Sequence, residues 1–210
     1  PVPLKEASLI VEINATDGDA GIQPSFDGDP WQRAVVRWPD GRVLVEVQAQ
    51  DALRSYGLTE LFSESSEPPF GEFSLDRFKE LFPEGDYRFE VTGVDGTPMV
   101  GTASLSHDFP AGPVITSPDE DARVRRDEVV VGWEPVTEPA GIEIGGYQVL
   151  VVQEEPVVRT FSADLPAEAT RLAVPAGFLQ PGVEYKIEVL AVAASGNKTL
   201  TERAFQVTGG

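Results

Sequence analysis

Cysteine is missing from this sequence altogether, which excludes disulfides, thiolate zinc sites and cysteine nucleophiles. A single histidine, His107, likewise excludes multi-histidine zinc and copper sites. Basic side chains are scarce. The 210 residues carry 16 Lys and Arg against 35 Asp and Glu, a formal charge of −19. Such a surface repels phosphate backbones and anionic lipid, so nucleic-acid binding and electrostatic membrane docking are disfavoured. Divalent or basic partners are favoured instead. No apolar run approaches the roughly 18 residues that a membrane-spanning helix needs. There is no Gly-x-Ser-x-Gly elbow, phosphate loop or dinucleotide fingerprint. The chain opens at Pro1 with neither an initiator methionine nor a basic-then-apolar leader, so a trimmed or mature chain is expected.

What the sequence does contain is punctuation. Eighteen prolines and twenty glycines separate short apolar runs that alternate with period two, the pattern of an all-β sandwich. In the first half the candidate strands are Ser8–Ile13, Ala34–Trp38, Val43–Ala49, Gly57–Ser63, Tyr87–Val94 and Met99–His107. In the second they are Val114–Ser117, Glu128–Trp133, Tyr147–Gln153, Val157–Phe161, Thr170–Val174, Glu184–Ala193 and Thr201–Val207. Pro39-Asp40-Gly41, Asp95-Gly96 and Ser195-Gly196-Asn197 read as hairpin turns. One short helix is predicted over Ser74–Phe82. Ser74 caps it, Asp76 suits its positive end, and Pro83 with Gly85 stops it. Two prolines in Asp108–Pro113 mark a semi-rigid linker, and the domains are set at 1–110 and 111–210.

The second domain resembles fibronectin type III domains at a set of positions. Val114–Pro118 matches the opening strand, Val129–Trp133 the second strand with its core tryptophan, and Gly146–Val149 the third. Leu179-Gln180-Pro181-Gly182-Val183-Glu184-Tyr185 matches the family's Leu-x-Pro-Gly-x-x-Tyr turn. The resemblance implies that Tyr185 forms a tyrosine corner, its hydroxyl bonding backbone upstream. It also implies that Trp133, Leu150, Leu172, Ile187, Val189 and Phe205 fill the space between the sheets. No Arg-Gly-Asp tripeptide is present, so adhesion of that kind does not carry over. The first domain is more weakly similar to bacterial immunoglobulin-like domains: Leu81 to Tyr87 repeats the spacing from Leu179 to Tyr185. The whole chain looks similar to exported bacterial proteins with a carboxy-terminal fibronectin-like module, which implies an extracytoplasmic location.

The stretch most suggestive of chemistry is Asn14-Ala15-Thr16-Asp17-Gly18-Asp19, continuing to Asp27-Gly28-Asp29. Hard cations take six to eight oxygens from carboxylates, amides and backbone. Asn14, Asp17, Asp19, Asp27 and Asp29 are therefore the candidate ligands, and Ca2+ the candidate ion, ordering a long Asn14–Arg33 connection. The arrangement is not an EF-hand, because Gly28 falls where the bidentate glutamate belongs. The alternative is a solvated turn whose Asp and Asn side chains bond their own backbone. Glu60 and Glu64 share a strand face, but nothing marks them as a glycosidase pair. His107 beside Asp108 lacks a serine elbow. Trp31 and Trp38 are candidates for a sugar-stacking face, Trp38 being better read as core.

The expectation is an all-β chain of two tandem β-sandwiches, immunoglobulin/fibronectin III-like, the first with one short helix. It is read as a non-catalytic, extracytoplasmic binding module with a protein or glycan partner, without nucleic-acid binding or membrane insertion. The alternatives are a carbohydrate-binding accessory module of a secreted hydrolase, and a structural spacer in a surface assembly.

Overall fold

A computed structural model describes residues 1–209. The chain is all-β and divides into two compact units. The first comprises Pro1–Val11 and Gly21–His107; the second comprises Glu12–Ala20 and the chain from Asp108 onwards.

In the first unit the strands are β1 (Val2–Pro3), β2 (Glu6–Asn14), β3 (Asp19–Arg37), β4 (Val43–Gln48), β5 (Leu58–Phe62), β6 (Gly85–Gly93) and β7 (Pro98–Leu105). The tip of the β2–β3 hairpin, Glu12–Ala20, belongs to the second unit. The long strand β3 organises the first. Its earlier part pairs antiparallel with β5, from Ser25↔Phe62 to Asp27↔Glu60. Its later part, Arg33–Arg37, pairs with β4 on one side and β6 on the other. The register shifts between Asp27 and Trp31, where the sequence reads Gly28-Asp29-Pro30. Proline cannot donate to a ladder and is tolerated at such a bulge, which lets one strand pass from one set of neighbours to the next. Trp31, Phe26, Phe89, Val91 and Tyr87 are buried in the core that results.

The expected long connection from Asn14 to Arg33 is thus not a loop. Only Ala15–Gly18 turns, and β3 begins at Asp19. Gly28, Pro24 and Pro30 hid the strand in the sequence because they interrupt the period-two pattern. Among the described residues there are two short helices where one was expected. The predicted one is α2 (Leu75–Leu81), with the Ser74 hydroxyl accepting from Arg77 N at 3.3 Å. It carries Phe78 against Phe82, and Phe82 stacks on Trp38 with centroids 5.6 Å apart. The other is α1 (Asp51–Tyr56), an excursion between β4 and β5.

The second unit holds β8 (Ile115–Ser117), β9 (Ala122–Arg125), β10 (Val130–Trp133), β11 (Ile144–Gln153), β12 (Arg159–Pro166), β13 (Arg171–Ala173), β14 (Glu184–Ala193) and β15 (Lys198–Thr208). One sheet runs β13-β10-β8; the other runs β15-β14-β11-β12, with β9 pairing β15 in parallel. Two sheets of three and four principal strands are the plan of an immunoglobulin/fibronectin III-like sandwich. Trp133, Tyr147, Ile187, Val189 and Phe205 are buried between them. Leu150 is not. β11 buries Tyr147, Val149 and Val151, and strand alternation sends Leu150 to the opposite face. The expected linker is itself packed into this unit: Phe109 is buried, and Ala111 N donates to Glu138 O at 2.8 Å.

Both tyrosine corners form. The Tyr185 hydroxyl accepts from Gln180 N at 2.8 Å and donates to Gln153 Oε1 at 3.2 Å. The Tyr87 hydroxyl donates to Pro83 O at 3.0 Å. Burial, and secondarily the negative charge of Asp40, pushes the Tyr87 pKa up to about 12. An unfolded tyrosine titrates near 10. The neutral phenol therefore contributes stability that is fully present below about pH 10 and is lost as pH rises through about 12. After solvent screening the loss is about 1–2 kcal/mol. Urea midpoints measured across that window should fall in the native chain and fall less in Tyr87→Phe.

Candidate functional site

At the hairpin tip, Asn14 Oδ1 accepts from Thr16 N at 2.9 Å and Asp17 N at 3.1 Å. Its Nδ2 donates to Asp17 Oδ2 and to Glu202 Oε1, both at 3.2 Å. Glu202 N in turn donates to Thr16 Oγ1 at 2.8 Å. Asn14 therefore ties the turn to itself and to β15, and its amide oxygen already serves two donors. Asp19 is different. Its Oδ1 is buried with no hydrogen-bond partner, and burial, followed by the charge of Asp17, raises its pKa.

Asp27 and Asp29 belong to the first unit, on β3. Lys5 reaches both, at 3.7 Å and 3.4 Å, and its Nζ also donates to Gly28 O at 3.2 Å. The five candidate ligands thus fall into two groups. Asn14, Asp17 and Asp19 lie in the second unit, where Asn14 and Asp17 are bonded to each other, and Asp27 and Asp29 flank Lys5 in the first.

The other sequence candidates have structural roles. Trp31 is 0% exposed and packs on Phe26 with centroids 5.2 Å apart, so its indole offers no face to a sugar. Trp38 stacks on Phe82, and the guanidinium of Arg42 sits 5.5 Å from its ring centroid. His107 Nε2 lies 2.8 Å from Phe82 O, and its backbone N donates to Glu84 at 2.7 Å. Glu64 accepts from Gln23 at 2.7 Å, while Glu60 is exposed on β5.

The second unit carries a depression of about 560 Å3 lined by Glu154, Glu155, Glu184 and Lys186. Its one cation is already engaged. Lys186 lies 3.1 Å from Glu188, 3.3 Å from Glu202 and 3.7 Å from Glu154. Burial works to lower the Lys186 pKa, but bonds and charges from Glu188 and Glu202 outweigh it and hold the ammonium above its usual range.

Sequence reasoning missed the feature that stands out in the first unit. Helix α1 buries none of its six residues. Tyr56 is 85% exposed and Leu53 is exposed beside it. The helix opens at Asp51 with φ of 46°, a left-handed conformation that costs a non-glycine residue of order 1 kcal/mol. It closes at Gly57, whose φ is 93°. A methyl group there would come within 2.7 Å of Pro30 Cβ and 2.9 Å of Val94 Cγ1, so only glycine lets the helix end rest so close. Arg54 Nε donates to Gln32 Oε1 at 3.0 Å, tying α1 to β3. The available signal was a run of helix formers, Ala52-Leu53-Arg54, ending at Tyr56-Gly57. Beside the helix end lies a cavity of about 190 Å3. Val2, Pro30, Val94 and Met99 supply its apolar wall, with Asp29 and Asp95 among the lining residues.

No family model matches the chain, and no curated protein matches it. Among solved structures, a two fibronectin type III domain segment from chicken tenascin aligns over 97% of this chain and 98% of that chain. It is 14% identical, with a TM-score of 0.32. The fold assignment rests on the strand order and not on this superposition.

Proposed function

We propose that the chain is a non-catalytic binding module that works outside the cytoplasm and takes a protein partner. The observation that carries this reading is α1. A segment that contributes nothing to the core, holds a strained residue and presents an aromatic to solvent has no evident role in folding. Loops of this kind on rigid strand frames are where binding residues concentrate, and tyrosine is enriched among residues that dominate binding energy. The charge of −19 weighs against nucleic acid. Among the described residues no helix is long and apolar enough to cross a membrane. The extracytoplasmic part of the reading rests on the resemblance to exported bacterial proteins; cell fractionation tests it, and recovery in the cytoplasm would remove it.

The binding test compares the native chain with Tyr56→Ala, both immobilised against an extracellular fraction and a glycan array. Because Tyr56 is solvent-exposed, the two should melt alike. Tyr56-dependent capture of a protein supports the reading. Capture that is indifferent to Tyr56 moves the surface elsewhere, and sugar binding on the array selects the carbohydrate alternative.

Calcium is the ion proposed for the hairpin tip, with Asp17 and Asp19 as its carboxylates. The Asp19 oxygen is unpartnered, and its pKa is raised first by burial and then by the charge of Asp17; a cation would offset both. A native-state ligand raises apparent stability. Saturating calcium should therefore lift the melting temperature by about 2–6 °C relative to EDTA, and Asp19→Asn should abolish the difference. Equal melting temperatures for the native chain would end the proposal.

A further inference from the structure

The apolar cavity beside α1 and the carboxylates around it define a ligand chemistry. Four aliphatic or thioether side chains, Val2, Pro30, Val94 and Met99, form its wall. Its volume of about 190 Å3 suits one side chain and not a cofactor or an oligosaccharide, which need roughly 300 Å3 or more. The wall alone would accept any aliphatic chain. The carboxylates narrow the choice. Asp95 accepts from Thr97 N and from Thr97 Oγ1, both at 2.9 Å. These bonds fix its carboxylate and hold its pKa below the usual range. Among the described residues no basic side chain pairs with Asp95 within 4.0 Å. Asp29, on the same lining, already receives the ammonium of Lys5 at 3.4 Å, so this rim accepts a cation within the molecule itself. Tyr56 immediately precedes Gly57, which abuts Pro30 and Val94, and its side chain is exposed.

An apolar slot, a fixed anion and an exposed aromatic ring are complementary to one kind of side chain. It has a long aliphatic stem and a cationic head. The stem of a lysine or arginine gains from apolar burial while the head stays in water or on a carboxylate. A ring nearby adds a cation–π contact worth about 0.5–1 kcal/mol when exposed. We propose that the cavity lined by Val2, Pro30, Val94 and Met99 is the recognition pocket for a lysine or arginine side chain of a basic partner segment, with Asp95 and Tyr56 receiving its charge. The inference rests on the binding-module reading and names the partner's chemistry. It also accords with the net charge: an acidic surface steers basic partners towards it, an effect that weakens with salt.

The test uses four capped tripeptides, Ac-Ala-X-Ala-NH2 with X as lysine, arginine, norleucine or glutamate, titrated into the full 15N-labelled chain. The lysine and arginine peptides should move the amides of Gly57, Gly93, Val94 and Thr97, with Kd in the millimolar range expected of a single side chain, and added salt should weaken them. Norleucine keeps the stem without the charge and should bind about tenfold more weakly, the equivalent of about 1.4 kcal/mol. Glutamate should leave these amides unmoved. Asp95→Asn removes the charge but keeps an Asn-Gly turn, which suits a hairpin as well as Asp-Gly does. It should weaken the lysine peptide about threefold or more while the 15N spectrum stays native-like, and Tyr56→Ala should weaken it likewise at an unchanged melting temperature. Norleucine binding as tightly as lysine would overturn the proposal, as would glutamate shifting the same amides or no shift with any peptide at about 20 mM. If a partner is captured in a Tyr56-dependent way and no basic peptide binds, the interaction surface stands and this occupant falls. If neither is seen, both fall.

Discussion

Trp31→Ala should cost the first unit about 3–5 kcal/mol, the range for deleting a buried indole. Trp31 is 0% exposed and stands at the bulge where β3 exchanges neighbours, opposite both Leu58 and Gly93. Its ring packs against Phe26, which in turn meets Phe89 edge-on at 6.0 Å. Removing it opens a void where three strands meet, and a close-packed core relaxes only partly into such a void. For a unit of about 100 residues the expected loss lowers the melting transition by roughly 15–30 °C. Near-UV circular dichroism and the amides of β3 and β6 would follow it. The indole N–H has no hydrogen-bond partner, so Trp31→Phe removes an unsatisfied donor as well as volume. It should therefore be the milder change, at about 1–2 kcal/mol. A loss under about 1 kcal/mol for Trp31→Ala would mean that the ring is not core and would restore it as a candidate surface for a sugar.

How much of this was legible depended on whether a residue's role is local. Leu179–Tyr185 and Leu81–Tyr87 could be read directly, because a tyrosine corner is a short-range device. The spacing brings the hydroxyl back to backbone four or five residues upstream, as both corners show. Ser74 at the start of α2 was legible for the same reason. The two corners still differ where packing decides: Leu179 is 3% exposed and Leu81 is 49% exposed. The self-bonded turn at Asn14 and Asp17 was legible only as the alternative to a calcium site. What could not be read was which residues the fold brings together across the sequence. Lys5 meets Asp27 and Asp29 from more than 20 positions away, and Val2, Pro30 and Val94 form one wall from three separate strands or strand ends. Gly28-Asp29-Pro30 reads as a loop and so offers Trp31 to a ligand; the bulge instead leaves it buried. Helix α1 was hidden by brevity. Six residues with no buried face carry no amphipathic pattern, and the exposure that conceals α1 from sequence reasoning is what recommends it as a binding element.

Tyr185→Ala should cost the second unit about 3–5 kcal/mol, and the series Tyr185→Phe and Tyr87→Phe should show why. Tyr185 is fully buried, stacked on Phe205 with centroids 5.7 Å apart and tilted against Phe178 at 5.8 Å. The alanine variant loses that packing and the hydroxyl together. The phenylalanine variant keeps the ring and isolates the hydroxyl. In Tyr185→Phe, Gln180 N–H loses its acceptor and Gln153 Oε1 loses its donor. Gln153 is 1% exposed, so water does not replace what is lost, and a buried unsatisfied group costs about 1–3 kcal/mol. Gln153 Nε2 stays bonded to Val157 O at 3.1 Å, which holds the amide in place and leaves its oxygen stranded. At Tyr87 the same substitution frees only Pro83 O. Pro83 is exposed, so solvent takes over and the cost should stay below about 1 kcal/mol. The expected order is Tyr185→Ala, then Tyr185→Phe, then Tyr87→Phe, read from chemical denaturation of the full chain at pH 7. Equal costs for the two phenylalanine variants would show that Gln153 is reached by water, and the buried bond between β11 and β14 would lose its standing as the feature that distinguishes the second corner from the first.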